Sequence, residues 1–409
     1  MKVLFLSHYF PPEGNAPATR TFEHLRRWVR SGHQATVITC APSVPHGKIY
    51  PGYENAFLNK SEMEGIQVSR IWTYIAANKG KGRRSVNYVS YFFSSILAGL
   101  FVKKPDVLIA TSPQFFCGCA GAVLAKIRRI PFILEVRDIW PDSIIAVNAI
   151  KSNFVLKWML RMEQWLYACA DHIVTVGDGY KKILTQKGVS QESISIITNG
   201  ADLQQFHPSN RENAEKKKIT CSFIGTLGMA SKLEVVIKAA QHLDSLNEPN
   251  IDFLLVGDGA EYENLVKRAR EIRTQRIRFT GLVNKAKIVD YLEQSDICLV
   301  HLKKSDLFKT VIPSKLFEAM AAGVPVLIGV QGCAEAIVTK SNCGLAFEPE
   351  NHIDLCNRIL QLISNKSTMR EMGNNGRRYL EKHFNRDKLA DDYLKILEQF
   401  STSKDAEFN

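Results

Sequence analysis

Lys315 and Glu318 stand three residues apart at the front of the stretch PSKLFEAMAAGVPVLIG, Pro313 to Gly329, where almost everything else is small or apolar. Pro313 and Ser314 are helix-start residues, with Ser314 a natural N-cap, and Gly323 with Pro325 is a stop signal. The spacing predicts a short helix with one cation and one anion as neighbours in its first turn. Ala319, Ala321 and Ala322 give it a small surface for close packing on a sheet. A lysine beside the free N–H groups of a helix start suits a diphosphate, and the carboxylate suits the hydroxyls of a ribose. The same two residues also fit a surface Lys–Glu pair worth about 0.5 kcal/mol. Their spacing does not separate the two readings.

Their neighbours along the chain tilt the balance. FIGTLGMASKL places Gly225, Thr226 and Gly228 after an apolar run, with Lys232 just inside the helix expected next. LLVGDG puts Gly257, Asp258 and Gly259 in the same relation to a later helix, and FTGLV places Gly281, Leu282 and Val283 after a third run. Thr310, Ser314, Lys315, Leu316 and Glu318 follow the next one. Glycine lets a backbone approach a ligand, and helix starts favour anions. Such loops in succession on one sheet edge point to a nucleotide with a phosphate chain.

The first half offers two further loops. SHYFPPEGNAPATR carries Gly14, Asn15 and Arg20 ahead of a helix but lacks GxGxxG, so it does not support a dinucleotide site. LEVRDIWPDS packs Glu135, Arg137, Asp138, Trp140 and Asp142 together at a strand end. That density of charge suits a cleft lining, and it also suits a structural Arg137–Asp138 ion pair. Asp-x-Asp is absent, so no obvious carboxylate pair would hold a divalent ion on a sugar diphosphate. GxSxG and Walker A loops are absent too.

The elements that must position these residues alternate regularly. Short apolar runs (KVLFLS, ATVITC, DVLIATS, PFILEV, HIVTVG) are separated by helix-periodic segments. The pattern pauses in a polar, basic stretch near residue 200 and restarts with ITCSFIG, IDFLLVG, RIRFTG, DICLVHL and PVLIGV. This βαβα rhythm predicts two Rossmann-like, doubly wound α/β domains with parallel sheets. Their ligands belong outside the carboxyl ends of the strands, in a cleft where the domains face each other. We expect an N-terminal domain over residues 1–200, a second over 201–375, and a C-terminal helix over 376–400 packing back on the first. The segment between ATVITC and the apolar Val86 to Val102 run reads as loop.

The length of 409 residues suits more than one domain, and the composition, 45% hydrophobic and 23% charged, is that of a folded enzyme. A net charge of +12 favours anionic partners. The nine cysteines lack CxxC or metal-ligand spacing and read as reduced, buried thiols. The apolar run from Val86 to Val102 falls short of the ~20 residues a bilayer span needs. Flanked by KGKGRR and KK, it fits either a helix on a membrane face or a buried core helix.

In order along nearly the whole chain, these motifs resemble the retaining, nucleotide-sugar-dependent glycosyltransferases of family 4, with the two-domain GT-B fold. FPPEGNAPATR is similar to the family's first-strand loop and ITNGADLQQF to its inter-domain signature. LLVGDG and FTGLV are similar to its nucleotide loops, and PSKLFEAMAAGVPVL to its sugar-nucleotide helix. EVRDIWPDS with PSKLFEAMA resembles the branch of bacterial L-fucosamine transferases of surface-polysaccharide assembly.

The resemblance implies a UDP-sugar donor, with the sugar an N-acetylated 6-deoxyhexosamine, and O-antigen, capsule or exopolysaccharide synthesis. The basic runs RRWVR, KGKGRR and KIRR, beside the aromatic segment Tyr88 to Phe101, suggest a cytoplasmic protein docked on the anionic inner face of the membrane, with a lipid-diphosphate-linked saccharide acceptor. No cofactor or metal is expected without Asp-x-Asp, and no nucleic acid without an RNP, KH or helix-turn-helix signature. Glu318 matches the family's ribose-binding Glu, Lys232 its phosphate Lys, and Asp138 with Arg137 lies where a polar residue approaches the reacting sugar. The loop with Gly14 and Asn15 faces acceptor and phosphates. Two positions depart from the pattern: Thr310 replaces an earlier Glu that contacts donor sugar, and Thr226 replaces an Arg, so Lys315 shares the task of Lys232. A sugar-nucleotide 2-epimerase and a non-catalytic polysaccharide-assembly scaffold are the alternatives.

Overall fold

Apart from Lys2 and Thr111 the runs KVLFL and VLIAT are continuously apolar, the pattern of strands covered on both faces, and they form the middle of a sheet. The computed structural model describes residues 1–44, 47–76, 81–142, 153–208, 218–246 and 250–402. The basic run at 209–217, residues 79 and 80 of KGKGRR, and the tail after 402 lie outside the described residues. The chain divides into two units, Met1–Thr198 with Asp387–Asn409, and Asn199–Arg386.

The first unit runs β1 (Lys2–Leu6), α1 (Ala16–Arg30), β2 (Gln34–Cys40), β3 (Leu58–Met63), β4 (Ile66–Ile71), α2 (Lys81–Leu100), β5 (Val107–Thr111), α3 (Phe115–Arg128), β6 (Phe132–Val136), α4 (Asn153–Cys169), β7 (His172–Thr175), α5 (Asp178–Gln186) and β8 (Ile194–Ile196). Its sheet order is β3-β4-β2-β1-β5-β6-β7-β8, parallel except for β3. The hairpin of β3 and β4 replaces the loop expected there. β3 (LNKSEM) is exposed along nearly its whole length, so it shows no apolar alternation, and its turn rests on Glu64 and Gly65 at φ 49° and 80°.

The second unit runs β9 (Ile219–Ile224), α6 (Glu234–Ser245), β10 (Ile251–Val256), α7 (Tyr262–Glu271), β11 (Ile277–Phe279), α8 (Ile288–Gln294), β12 (Ile297–His301), α9 (Ser314–Ala321), β13 (Val326–Gly329), α10 (Cys333–Ser341), β14 (Gly344–Ala346), α11 (His352–Ile363) and α12 (Lys366–His383). The sheet is wholly parallel in the order β11-β10-β9-β12-β13-β14. The strand order reverses between β9 and β12, the switch point of a doubly wound sheet. Asn351 and Asn365 cap α11 and α12, each accepting two backbone N–H groups, and so break the long C-terminal helical stretch.

The last helix, α13 (Arg386–Thr402), belongs to the first unit from Asp387 onward. Trp28 of α1 donates its indole N–H to the Ala390 carbonyl at 2.9 Å, and the Trp28 and Tyr393 rings meet edge-on at 5.3 Å.

Arg20 of α1 fixes the carboxyl edge of the first sheet. Its guanidinium pairs with Glu135 at the end of β6 at 3.1 Å and donates to the Thr198 and Ile197 carbonyls at 2.8 Å each. Glu135 is fully buried and also accepts from the Thr111 hydroxyl at 2.8 Å. Removing the cation leaves a buried carboxylate without its hydrogen-bonded counterion and with only the field of nearby Arg137. Arg20→Ala is expected to lower unfolding free energy by about 3–5 kcal/mol in urea titration. A loss below about 1 kcal/mol would place this pair among ordinary surface bridges.

Candidate functional site

The carboxyl end of β9 meets the start of α9 at the second sheet's switch point. Gly225 follows β9 at φ 142°, donating its N–H to the Val256 carbonyl at 2.8 Å. A Cβ at Gly225 would lie 2.9 Å from the Lys315 Nζ, which a lysine end could yield, while φ 142° itself favours glycine there. The Nζ sits 3.2 Å from the centroid of the buried Phe223 ring, a cation–π contact. Burial lowers the Lys315 ammonium from 10.5 to about 7, with the neighbouring Cys298 and Glu318 opposing the shift. Among the described residues Lys315 forms no ion pair or hydrogen bond.

The front of α9 differs from the capping expected of Ser314. Pro313 takes the N-cap position, Ser314 is the first helical residue, and no side chain caps the helix. No side chain therefore takes the first N–H groups of this helix. Glu318, one turn in, is partly exposed, and among the described residues its carboxylate forms neither a hydrogen bond nor an ion pair. Lys315 and Glu318 are therefore not the surface pair that spacing allowed. Leu316 is fully buried, and its N–H goes to the Pro313 carbonyl at 3.1 Å. At the far end, Gly323 and Val324 donate to the Met320 and Ala319 carbonyls at 3.1 and 3.0 Å, and Arg377 donates to the Ala321 carbonyl at 2.8 Å.

The glycine loops pack against one another. Gly257 has φ 131°, and a Cβ there would collide with the Gly225 carbonyl oxygen. Leu227 donates its N–H to the Asp258 carbonyl at 3.0 Å, and the Asp258 carboxylate accepts the Gly259 N–H at 2.7 Å. Gly257 also bridges Gly281. Gly225, Gly257, Gly281 and Lys315 thus share one sheet edge. Leu282 is 65% exposed beside them, and Val283 packs partly on the core. The Thr310 hydroxyl donates to the Leu307 carbonyl at 2.8 Å and closes its own single turn.

Lys232 lies two residues before α6, not inside it, at φ 43° with its ammonium 3.6 Å from Glu234. Thr226 is exposed, and its carbonyl accepts the Ser231 hydroxyl at 2.9 Å. The loop holding both is clamped from β12. Nδ1 of His301 donates to the Ser231 carbonyl at 2.8 Å, Nε2 accepts the Glu350 N–H at 2.9 Å, and Lys303 donates its N–H to Ala230 at 2.8 Å. Burial lowers the His301 pKa and keeps the ring neutral in this tautomer. The sequence reading missed His301, whose only signal was a polar residue closing the apolar DICLVH strand.

In the first unit the charges of EVRDIWPDS separate. Glu135 is taken by Arg20, Asp142 pairs with Lys187 at 3.1 Å, and Trp140 stacks on Phe115 at 4.1 Å. Arg137 forms no pair with Asp138, and its Nε and Nη1 are buried without a hydrogen-bond partner. Burial pulls that guanidinium down to about 10. The backbone N–H groups of Arg137 and Asp138 donate to the Ser112 hydroxyl at 2.8 and 3.2 Å.

Asp138 lies within electrostatic reach of Arg84, whose Nε donates to the Tyr88 hydroxyl at 2.6 Å. Tyr9 and His8 join this group, and burial takes His8 down to about 4. None of these four was singled out from sequence. Gly14 is exposed with open space around it, while Asn15 accepts the Ala18 N–H at 2.9 Å as the N-cap of α1. Among the described residues no group of three or more His, Cys, Asp or Glu is placed to hold a metal ion.

The chain matches two family profiles, glycosyl transferases group 1 over residues 205–379 and glycosyl transferase 4-like domain over residues 15–200. It is 24% identical over 368 residues to WcaI of Escherichia coli K12, named for glycosyl transfer in colanic acid biosynthesis, covering 86% of this chain and 89% of WcaI. It is 22% identical over 328 residues to an Escherichia coli UDP-Gal:alpha-D-GlcNAc-diphosphoundecaprenol alpha-1,3-galactosyltransferase, covering 77% and 82%. Sucrose-phosphate synthase of Thermosynechococcus elongatus superposes with TM-score 0.76 at 16% identity over 98% of this chain and 99% of that one. Anabaena HepE, solved with UDP, gives 0.70 at 16% over 98% and 100%. These structural likenesses establish the fold.

The Lys315 geometry carries a pH signature. In the unfolded chain this lysine keeps its ordinary value, so from about pH 7 up to that value the unfolded chain binds the extra proton. Stability then rises with pH across the window, because the native ammonium loses a charge that burial disfavours. Thermal melts of ligand-free wild type against Lys315→Met should show wild type gaining relative stability between about pH 7 and about pH 10. A pH-independent difference would show that the ammonium is solvated or paired.

Proposed function

The chain belongs to the group 1, GT4-like glycosyltransferases of GT-B fold, and on that premise we propose that it transfers a sugar from a UDP-sugar to a lipid-diphosphate-linked saccharide with retention at the anomeric carbon. The observation that carries this reading is the half-buried Lys315 ammonium, stacked on Phe223 without an ion pair among the described residues, beside the uncapped start of α9. A diphosphate supplies the missing negative charge and accepts the open N–H groups. Glu318, one turn further in and without a partner among the described residues, takes the ribose hydroxyls. Lys232 approaches the phosphates from the loop that His301 holds.

In the reaction the bond between the anomeric carbon and the diphosphate oxygen breaks, and the acceptor hydroxyl oxygen bonds that carbon on the same face. Its proton passes to the departing diphosphate. Lys315, Lys232 and the helix start stabilise the charge on the leaving group, and no metal is needed in this scheme. Asp138 beside Arg84 lines the acceptor side, and Arg137 stands behind it. Residues about Thr310 select the donor sugar, an N-acetylated 6-deoxyhexosamine. The relatives' names support polysaccharide assembly, and that of the galactosyltransferase supports an acceptor on a polyprenyl diphosphate. Such an acceptor places the enzyme on the inner face of the cytoplasmic membrane.

Incubation with labelled UDP-sugars and bacterial membranes in chelator tests the reaction. Label in the lipid fraction, with anomeric configuration kept by NMR, is expected. Epimerised free donor without transfer would replace this reading with the epimerase. By calorimetry, Lys315→Ala and Glu318→Ala should each weaken UDP binding by about 10–100-fold, the loss of one charge-assisted hydrogen bond. Unchanged affinity in both variants would remove the site assignment.

A further inference from the structure

Helix α2 is amphipathic the wrong way round for a helix facing water. The face against the protein carries Asn87, Tyr91, Ser95 and Gly99, all buried. Polar groups there are satisfied internally: Asn87 donates to the Tyr74 carbonyl at 2.6 Å, and Tyr91 donates to the Ile38 carbonyl at 2.8 Å. The outward face carries Val86, Val89, Phe93, Leu97 and Leu100, continued by Phe101, with Phe93 65% and Phe101 80% exposed. Between Arg84 and Lys103 there is no charged residue. Water-facing helices place their charges outward, so an outward face of this kind has an apolar partner.

The adjoining helices extend the same character. α3 packs against α2 and α4. Arg128 of α3 donates to the Gly99 and Val102 carbonyls at 2.6 Å each, which sets Ile127, 57% exposed, near the end of α2. On α4 the exposed side has Phe154, Trp158 and Trp165, with Arg161 between them. Lys103, Lys104, Lys126 and Arg129 are exposed around the α2–α3 end. Aromatic and aliphatic side chains rimmed by lysine and arginine are complementary to a lipid surface with anionic headgroups. No helix among the described residues is long and apolar enough to cross a membrane, so the contact lies along the surface.

We infer that the outward face of α2, with the exposed aromatics of α4 and the basic rim at the end of α3, docks this unit on an anionic lipid bilayer. The inference rests on the lipid-linked acceptor of the proposed function and names the surface that reaches it.

Vesicle flotation of the full chain tests it, with phosphatidylcholine alone and with added phosphatidylglycerol. Wild type should float with the anionic vesicles, and raised salt should reduce that fraction. Phe93→Asp with Leu97→Asp should lower partitioning at least about tenfold. Lys103→Glu with Lys104→Glu, on the exposed turn after α2, should lower it on anionic vesicles only, so a folding defect in the first variant cannot decide the matter.

Wild type that stays off both vesicles overturns the inference, as does a dimer in sedimentation equilibrium that both α2 variants dissolve without vesicle binding. UDP calorimetry on the same samples separates the two proposals. Vesicle failure with UDP binding intact removes only the docking surface, and wild type that does not bind UDP removes the donor site.

Discussion

A half-buried ammonium with no direct ion pair among the described residues organises the second unit. Lys315 is disfavoured by its own position twice over. It sits over an aromatic ring, partly withdrawn from water, and it stands at the positive end of α9. A cation–π contact offsets only part of that cost. The glycine at 225 makes room for the Nζ, the glycine at 257 lets the next loop close on Gly225, and the Leu227–Asp258 contacts hold both loops in place. An anion at this point relieves the ammonium and the open N–H groups at once.

The contrast with the first unit is informative. Its charges are largely consumed by the fold: Arg20 takes Glu135, Lys187 takes Asp142 and Glu163, and Glu13 accepts the Ser43 and Val44 N–H groups at 2.9 and 3.0 Å. A cluster of charged letters at a strand end therefore meant two different things in the two halves. In EVRDIWPDS Glu135 and Asp142 are consumed by structural ion pairs, while in PSKLFEA neither charge forms one among the described residues.

That distinction marks the limit of what the sequence could convey. Apolar runs and their periods located nearly all parallel strands and the doubly wound rhythm, because burial on both faces leaves a direct compositional trace. β3 left none, since an exposed edge strand has no face to hide. Gly225 and Gly257 were legible as loop glycines, but their work is steric accommodation of a side chain and of another loop, which depends on partners far along the chain. His301 was invisible for the same reason: its two hydrogen bonds go to residues 231 and 350, and neither is near it in sequence.

Helix α2 shows the complementary limit. The period of VNYVSYFFSSILAGLFV assigns Asn87, Tyr91 and Ser95 to one face and Val89, Phe93 and Leu97 to another. It does not say which face turns inward, and hydrophobicity alone would have turned the wrong one. What decides the matter is local chemistry. The inward polar groups find fixed acceptors in Tyr74 and Ile38, and Gly99 lets α3 approach through Leu124. A helix anchored through its polar side leaves its apolar side to whatever the protein rests on. Helix α2 thus divides its work by face: Asn87, Tyr91 and Ser95 complete the unit's packing, and Val89, Phe93 and Leu97 stay outside it.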